Sequence, residues 1–316
     1  MTQEPAEPGK TKTQRPSAAL RAALWMILSS AAFAGMTATI RQTSQELHSF
    51  EIAFFRCLFG LLFMMPWLAR AGIGALRTQR LPLYALRAVI GLFAMTTWFW
   101  AISITPMATV TSLFFATTLF AGVLAVLVLR EKVGPRRWAA MVVGFLGVLV
   151  ILRPGVDQVT FGAMLSLGAA ALAGVSMTVV KLLSRTERPE AIITYMTLFL
   201  TPLSLIPALF VWVWPSWEVL AWLVAVSGFA TTGHWGLTRA FRLSDSSAVM
   251  PFMYAQLPFV AAIGFVAYGE VPDIYTWIGG AIIAASSVYI AHREARRAKE
   301  AARVARLRVD AARDAP

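Results

Sequence analysis

Apolar residues run in long blocks along this chain, cut at intervals by short polar, glycine or proline clusters. The blocks predict ten helices, roughly over 18–40, 49–69, 81–104, 107–129, 136–152, 160–182, 190–213, 217–240, 246–268 and 273–292. Most reach the ~20 residues that a helix needs to cross the hydrocarbon of a bilayer, and the fifth stands at the lower limit. The breaks fall at Gly72-Ile73-Gly74, Pro106, Gly134-Pro135, Arg153-Pro154-Gly155, Pro189, Pro215 and Pro272. Proline and glycine end a helix there at low cost.

The pattern repeats. Residues 107–129 are nearly free of charge and are followed by Glu131 and Trp138; an apolar run from Ser246 is followed by Glu270 and Trp277. Glu270 follows Glu131 by 139 positions (270 − 131), and Trp277 follows Trp138 by the same number. The offset also pairs Glu51 with Glu190, Ala101 with Ala240, and Ala34-Gly35 with Ala173-Gly174. One gapless offset over that length predicts two tandem halves, 18–155 and 156–292.

Composition adds the compartment. Hydrophobic residues make up 58% of the chain and charged residues 14%, against about 25% charged in soluble domains. This is the composition of an all-α membrane protein. The single cysteine, Cys57, excludes an intramolecular disulfide and reads as a lipid-facing or packed small residue. A net charge of +12 is compatible with a nucleic-acid partner, but the basic residues are scattered between the apolar blocks and gathered at the tails, so no nucleic acid is expected.

Charge placement then gives topology. If the N-terminal tail and the even-numbered loops share a side with the C-terminal tail, they hold 25 of the 28 Lys and Arg. Only Arg41 and Arg153 fall on the other side, and Arg56 lies within a span. Basic loops stay in the cytoplasm, so both termini are expected there, with ten spans of a multi-pass protein in the bacterial inner membrane. Residues 1–17 read as a disordered cytoplasmic tail. Residues 293–316 read as a basic cytoplasmic tail that forms a solvated or membrane-surface helix. Five spans per half is an odd number, so the halves are expected to be inverted relative to one another. Inverted halves characterise secondary transporters that work by alternating access, with the cargo site near the midplane.

Two stretches carry a resemblance to a known family. One is Leu47-His48-Ser49-Phe50-Glu51-Ile52-Ala53-Phe54-Phe55-Arg56, and the other runs from Leu129-Arg130-Glu131 through Val143-Gly144-Phe145-Leu146-Gly147 to Arg153-Pro154. Over about residues 18–292 the chain resembles the drug/metabolite transporter superfamily, specifically bacterial EamA-type carriers. The first stretch looks particularly like S-adenosylmethionine uptake carriers, and riboflavin carriers are also similar. The resemblance implies uptake of a small organic metabolite; export of amino acids or drugs is the alternative. Where the family usually has a proline in the fourth helix this chain has Thr117-Thr118, while Pro258 stands near the corresponding place in the second half. A fourth helix straighter than its partner is therefore expected.

No metal-ligand cluster, phosphate loop or nucleophile motif is present in the sequence, so neither catalysis nor a cofactor is expected. Arg56 lies seven residues past Ser49, roughly 10 Å into the span at 1.5 Å per residue. A charge at that depth is expensive and faces a cavity or a partner. It either attracts an anionic group such as a carboxylate, or snorkels outward or locks to Glu51. His234 titrates in a range that suits a proton as coupling ion, or is a packed histidine with a hydrogen-bond partner. Gln256, beside Tyr254 and Pro258, is a cavity-lining candidate because an amide in hydrocarbon needs a partner. With Arg56, the expected cargo residues are Trp98, Phe115, Thr118, His234, Trp235, Tyr254 and Gln256, around the close-packing glycines Gly35 and Gly174. Core or lipid-facing packing is the competing reading for the aromatics. Trp212, Trp214, Trp217 and Trp222 read instead as an interfacial belt. The bilayer and a small molecule are the expected partners, and a second copy of the chain is left open.

Overall fold

The computed structural model describes residues 16–71, 78, 80–127, 135–153, 159–183, 189–243 and 246–313, which form twelve α-helices and no strand. They are α1 (Pro16–Thr43), α2 (Ser49–Ala71), α3 (Leu81–Ile104), α4 (Met107–Phe114), α5 (Thr117–Leu127) and α6 (Pro135–Leu152), then α7 (Phe161–Leu183), α8 (Pro189–Leu209), α9 (Trp217–Leu243), α10 (Ser246–Met253), α11 (Gln256–Tyr268) and α12 (Ile274–Arg313). Six stretches are long and apolar enough to cross a membrane: Leu20–Thr43, Leu81–Ile104, Met107–Leu124, Phe161–Val180, Pro251–Tyr268 and Ile274–Arg293. The chain is a multi-pass membrane protein. The expected N-terminal tail up to residue 15, the turn at Gly72-Ile73-Gly74, Glu131 and Pro154-Gly155 lie outside the described residues.

These helices are apolar on both faces because each packs on a neighbour and also meets an apolar solvent. On α1, Leu20, Leu24 and Leu28 recur every fourth residue and are exposed, while Ala22 and Met26 between them are fully buried. The buried face carries small and hydroxylated residues, Ser29, Ser30, Ala34, Thr37 and Thr39. Such residues let backbones approach and satisfy their hydroxyls internally: Ser29 donates to the Gly233 carbonyl of α9 at 2.7 Å.

Two of the ten expected helices are broken, and at equivalent places. The fourth divides into α4 and α5 at Phe115-Ala116, and the ninth into α10 and α11 at Tyr254-Ala255. The separation is again 139 (254 − 115). The straighter fourth helix expected from its missing proline is not found. In the ninth helix Pro258 lacks the N–H that would bond four residues back, and tight i−3 turns link Leu257 to Tyr254 and Tyr254 to Pro251. In the fourth, the Ala116 N–H turns back to Leu113 and the Thr117 hydroxyl takes the Phe114 carbonyl at 2.7 Å. A threonine that bonds its own helix's backbone competes with the α-helical ladder and bends it. Thr117 thus does by hydrogen bonding what proline does by lacking a donor.

The packing follows the same correspondence. α1 lies along α9 as α7 lies along α3; α2 meets α9 as α8 meets α3; α1 meets α11 as α7 meets α5. The pairs α2–α8 and α6–α12 exchange members under the same rule. α6 and α12 approach at Gly147 and Gly279, where a Cβ on Gly147 would stand 2.9 Å from the Gly279 carbonyl oxygen. The basic tail continues α12 without a break to Arg313, giving one helix of 40 residues.

Candidate functional site

The broken helices bring their break residues together. Phe115 and Tyr254 meet edge to face with ring centroids 4.7 Å apart. Trp98 of α3 packs on Phe114, centroids 5.2 Å apart, and Phe114 also borders the core around Phe115. Trp98 is 7% exposed, and its indole Nε1 is buried without a hydrogen-bond partner among the described residues. An indole N–H in such surroundings ordinarily finds an acceptor. It is a donor left over by the fold.

Arg56 lies on α2 and His234 on α9. The Arg56 Nη1 donates to the thioether sulfur of Met95 at 3.6 Å, and its side chain adjoins the Cys57 thiol, itself packed beside Leu92 and Leu200. The alternative of a lock with Glu51 does not hold. Glu51 is fully buried, and its carboxylate accepts from the Val213 N–H at 2.7 Å and the His48 N–H at 3.3 Å, which ties the start of α2 to the loop after α8. His234 is exposed. Its ring meets Phe33 of α1 edge to face at 5.2 Å. Arg87, which charge counting assigned to a loop, lies inside α3 with Nη2 3.2 Å from the Met196 sulfur. Its depth was readable from Pro82, which marks the first turn of α3 and leaves Arg87 more than a turn further in.

Other expected site residues stand apart. Trp235 is 51% exposed and packs on Trp25 (5.0 Å) and beneath Arg239 (5.1 Å), and no ring contact links it to Phe115, Tyr254 or Trp98. Gln256 is half-buried at the first position of α11. Gly35 and Gly174 are both close approaches, with different neighbours: a Cβ on Gly35 would meet the Phe229 ring at 2.9 Å, and one on Gly174 would meet the Phe120 Cβ at 2.8 Å. In the tryptophan belt, Trp214 and Trp217 are 82% and 88% exposed. Trp212 turns inward onto Phe54 and Phe55.

Hydrogen bonds and an ion pair tie the helices together at the end of the bundle away from the chain termini. The left-handed turn at Gly269 (φ 66°) caps α11, with its N–H on the Phe265 carbonyl and the Glu270 N–H on the Gly264 carbonyl. Any side chain at that φ would be strained, and the turn aims Glu270 across the bundle. Its Oε2 accepts from the Met107 N–H at the start of α4 (2.8 Å), and its Oε1 lies 3.3 Å from Arg41 of α1. Arg41 in turn donates to the Ile102 carbonyl at the end of α3, and the Tyr268 hydroxyl to the Ala38 carbonyl. A carboxylate at a helix N-terminus meets both free N–H groups and the positive end of the dipole.

Beside this knot, Arg153 reaches Asp273 at 2.6 Å and lies over the Tyr275 ring at 4.4 Å, in a vestibule of about 350 Å³. Burial pushes the Asp273 carboxyl up, but two bonds from Thr276 and the Arg153 guanidinium outweigh it and hold the group below the usual range. At this end one apolar core joins residues of α1, α2, α3, α4, α7, α8, α9 and α11. At the opposite end the described packing divides into two groups, Tyr84, Val179, Leu183 and Tyr195 on one side and Ala22, Met26, Ala240 and Val249 on the other.

Comparison with known proteins bears on this arrangement. Residues 20–153 and again 160–291 match the model of the EamA-like transporter family. The chain is 31% identical to a riboflavin transporter of Vibrio cholerae over 292 residues, which cover 90% of this chain and 98% of that protein. It is 32% identical to a riboflavin transporter of Rhizobium johnstonii, covering 91% and 96%, and 29% identical to an S-adenosylmethionine uptake transporter of Rickettsia prowazekii, covering 85% and 92%. One solved crystal structure shares the fold, with a TM-score of 0.58 at 20% identity over 90% of this chain and 99% of that one.

Proposed function

This chain belongs to the EamA-like transporter family, and we propose that it takes up a small planar metabolite, riboflavin-like or S-adenosylmethionine-like, by alternating access across the bacterial inner membrane. The family makes it a membrane transporter of a small metabolite. In the proposed arrangement ten spans form two inverted five-helix halves with both termini in the cytoplasm. The observation that carries this reading is the meeting of the two break residues, Phe115 and Tyr254, at equivalent positions of the two halves. Broken helices at midplane depth free backbone groups and create a site between repeats. Here that place is lined by rings, Trp98, Phe114, Phe115 and Tyr254, which suit a flat cargo.

The tied end faces outward in this topology, so the site is closed to the outside and reached from the cytoplasm. Both basic residues expected on the outer side, Arg41 and Arg153, have acidic partners there. Uptake of labelled riboflavin and of labelled S-adenosylmethionine into proteoliposomes tests the cargo. Saturable accumulation of one and its competition by unlabelled compound is the expected result. Failure of both to enter or compete removes the planar-cargo reading and leaves the transporter assignment to the family.

A further inference from the structure

The vestibule of about 350 Å³ beside the Glu270 knot lies where five helices end or begin. Thr105 closes α3, Thr109 lies in the first turn of α4, Arg153 follows α6, Thr160 precedes α7, and Asp273 and Thr276 stand at the start of α12. Its volume is at the small end of the range for ligand pockets. Four of the lining residues are threonines, and the two charges, Arg153 and Asp273, pair at 2.6 Å and cancel. A recess with many hydroxyls and no net charge suits a neutral group that both donates and accepts hydrogen bonds.

The charged pair is held firmly in place. Arg153 adopts φ 44°, a left-handed conformation that residues with a side chain rarely take. Such residues persist where the surroundings fix them, and they gather at functional sites. The Arg153 guanidinium lies over the Tyr275 ring at 4.4 Å. Asp273 also accepts from the Thr276 N–H at 2.8 Å. A carboxylate has about four lone-pair positions, so Asp273 can accept from ligand hydroxyls while still bonded to Arg153. The Thr109 and Thr276 hydroxyls stand 3.4 Å apart across the α4–α12 contact. The duplication does not dictate this polar set. The 139-residue offset puts Gly134, Arg137, Ala248 and His292 in the positions equivalent to Asp273, Thr276, Thr109 and Arg153. The set belongs to one end of the bundle alone.

We propose that this vestibule is a recognition site for vicinal hydroxyl groups, such as those of a ribityl chain or a ribose ring, and that it meets the cargo on the outer side of the membrane. This rests on the uptake reading above and deepens it. Riboflavin and S-adenosylmethionine differ in their rings and share vicinal hydroxyls. Neighbouring hydroxyls donate to the Asp273 carboxylate and exchange bonds with Thr109 and Thr276. α4 serves both places, since Thr109 lies in its first turn and Phe115 caps its end.

Two pairs of probes, each with a constant ring, test this. Riboflavin is set against lumiflavin, in which a methyl group replaces the ribityl chain, and adenosine against 2′-deoxyadenosine, which lacks the vicinal pair. Purified full-length protein in detergent is titrated with each, in wild type, Asp273→Asn and Thr109→Val. The hydroxylated member of one pair should bind about fivefold tighter or more, and that pair identifies the source of the hydroxyls. Each variant should lose about five- to tenfold in affinity for that member, the value of one hydrogen bond, and nothing for its ring-matched partner. A second readout needs no ring: with Cys57→Ser and Val159→Cys, at a position lining the same recess, ribitol or ribose should slow reaction with an impermeant thiol reagent several-fold. Equal affinities within both pairs, or a preference that both variants leave unchanged, overturn the vestibule site while the planar cargo stands. If no ring probe binds, the planar-cargo reading falls, and the cysteine decides the vestibule: protection by ribitol or ribose upholds it, and no protection overturns it. If the variants do not accumulate, the wild-type ratios and the protection decide together.

Discussion

Phe115 and Tyr254 stand 139 residues apart, the same offset that relates the two halves of the chain, and their rings touch edge to face at 4.7 Å. Each is the residue at which its helix breaks. The two breaks therefore share one contact between the halves.

Coupling between the two rings is the first expectation. An edge-to-face pair contributes about 0.5–1.5 kcal/mol beyond its buried area. In a cycle of Phe115→Ala, Tyr254→Ala and the double variant, the thermal-stability losses should fall short of additivity by about that amount. Tyr254→Phe should preserve the ring contact and lose only the hydroxyl. Strict additivity would mean that the contact carries no energy.

A second expectation concerns Glu270 and Arg41. Glu270→Gln keeps an acceptor for the Met107 N–H but removes the charge that holds Arg41, so the outer end should open more often. In a Cys57→Ser background, Thr109→Cys in the outer vestibule should react with a membrane-impermeant thiol reagent several-fold faster when Glu270→Gln is added. The counterpart Glu131 lies outside the described residues, and the correspondence of halves predicts the opposite sign for Glu131→Gln: slower labelling at the same cysteine. Unchanged labelling in both variants would show that neither acid controls access.

Third, orientation follows from the loops. Reporter fusions after residue 75 and after residue 134 should read cytoplasmic, and fusions near 105 and 156 periplasmic. A periplasmic signal at 134 would put Glu131 and Glu270 on one face, and the halves could not be inverted.

Periodicity and charge made much of this legible. The ten helical blocks, their breaks and the 139-residue repeat are properties of chain composition, and apolar length is a strong signal. The bend at Thr117 is not legible in the same way, because proline marks a bend in sequence and Thr117-Thr118 carry no such mark. Hydrogen bonding from a threonine hydroxyl to its own backbone has no length or charge signature. Nor was the engagement of Glu51 visible: sequence proximity suggested Arg56 as its partner, while the true donors are the Val213 and His48 N–H groups. Of the paired candidates, Phe115 and Tyr254 came together because both lie at breaks. Trp235, one residue from His234, points elsewhere because neighbouring positions on a helix face about 100° apart.

The last expectation separates cargo contact from packing at Trp98. Its ring is buried against Phe114, so Trp98→Ala would leave a cavity and cost about 3–5 kcal/mol of stability whatever the ring does for cargo. Trp98→Phe is the sharper change: it keeps most of the ring and removes the Nε1 donor, which has no partner among the described residues. An unpaired buried donor is itself destabilising, so this variant should unfold no earlier than wild type. If cargo supplies the missing acceptor, affinity should drop by about 1 kcal/mol, five- to tenfold, with Tm unchanged. Trp217→Ala, at a position 88% exposed, should alter neither quantity. A lower Tm with unchanged binding in Trp98→Phe would assign the tryptophan to the core and move the cargo's ring toward Phe115 and Tyr254 alone.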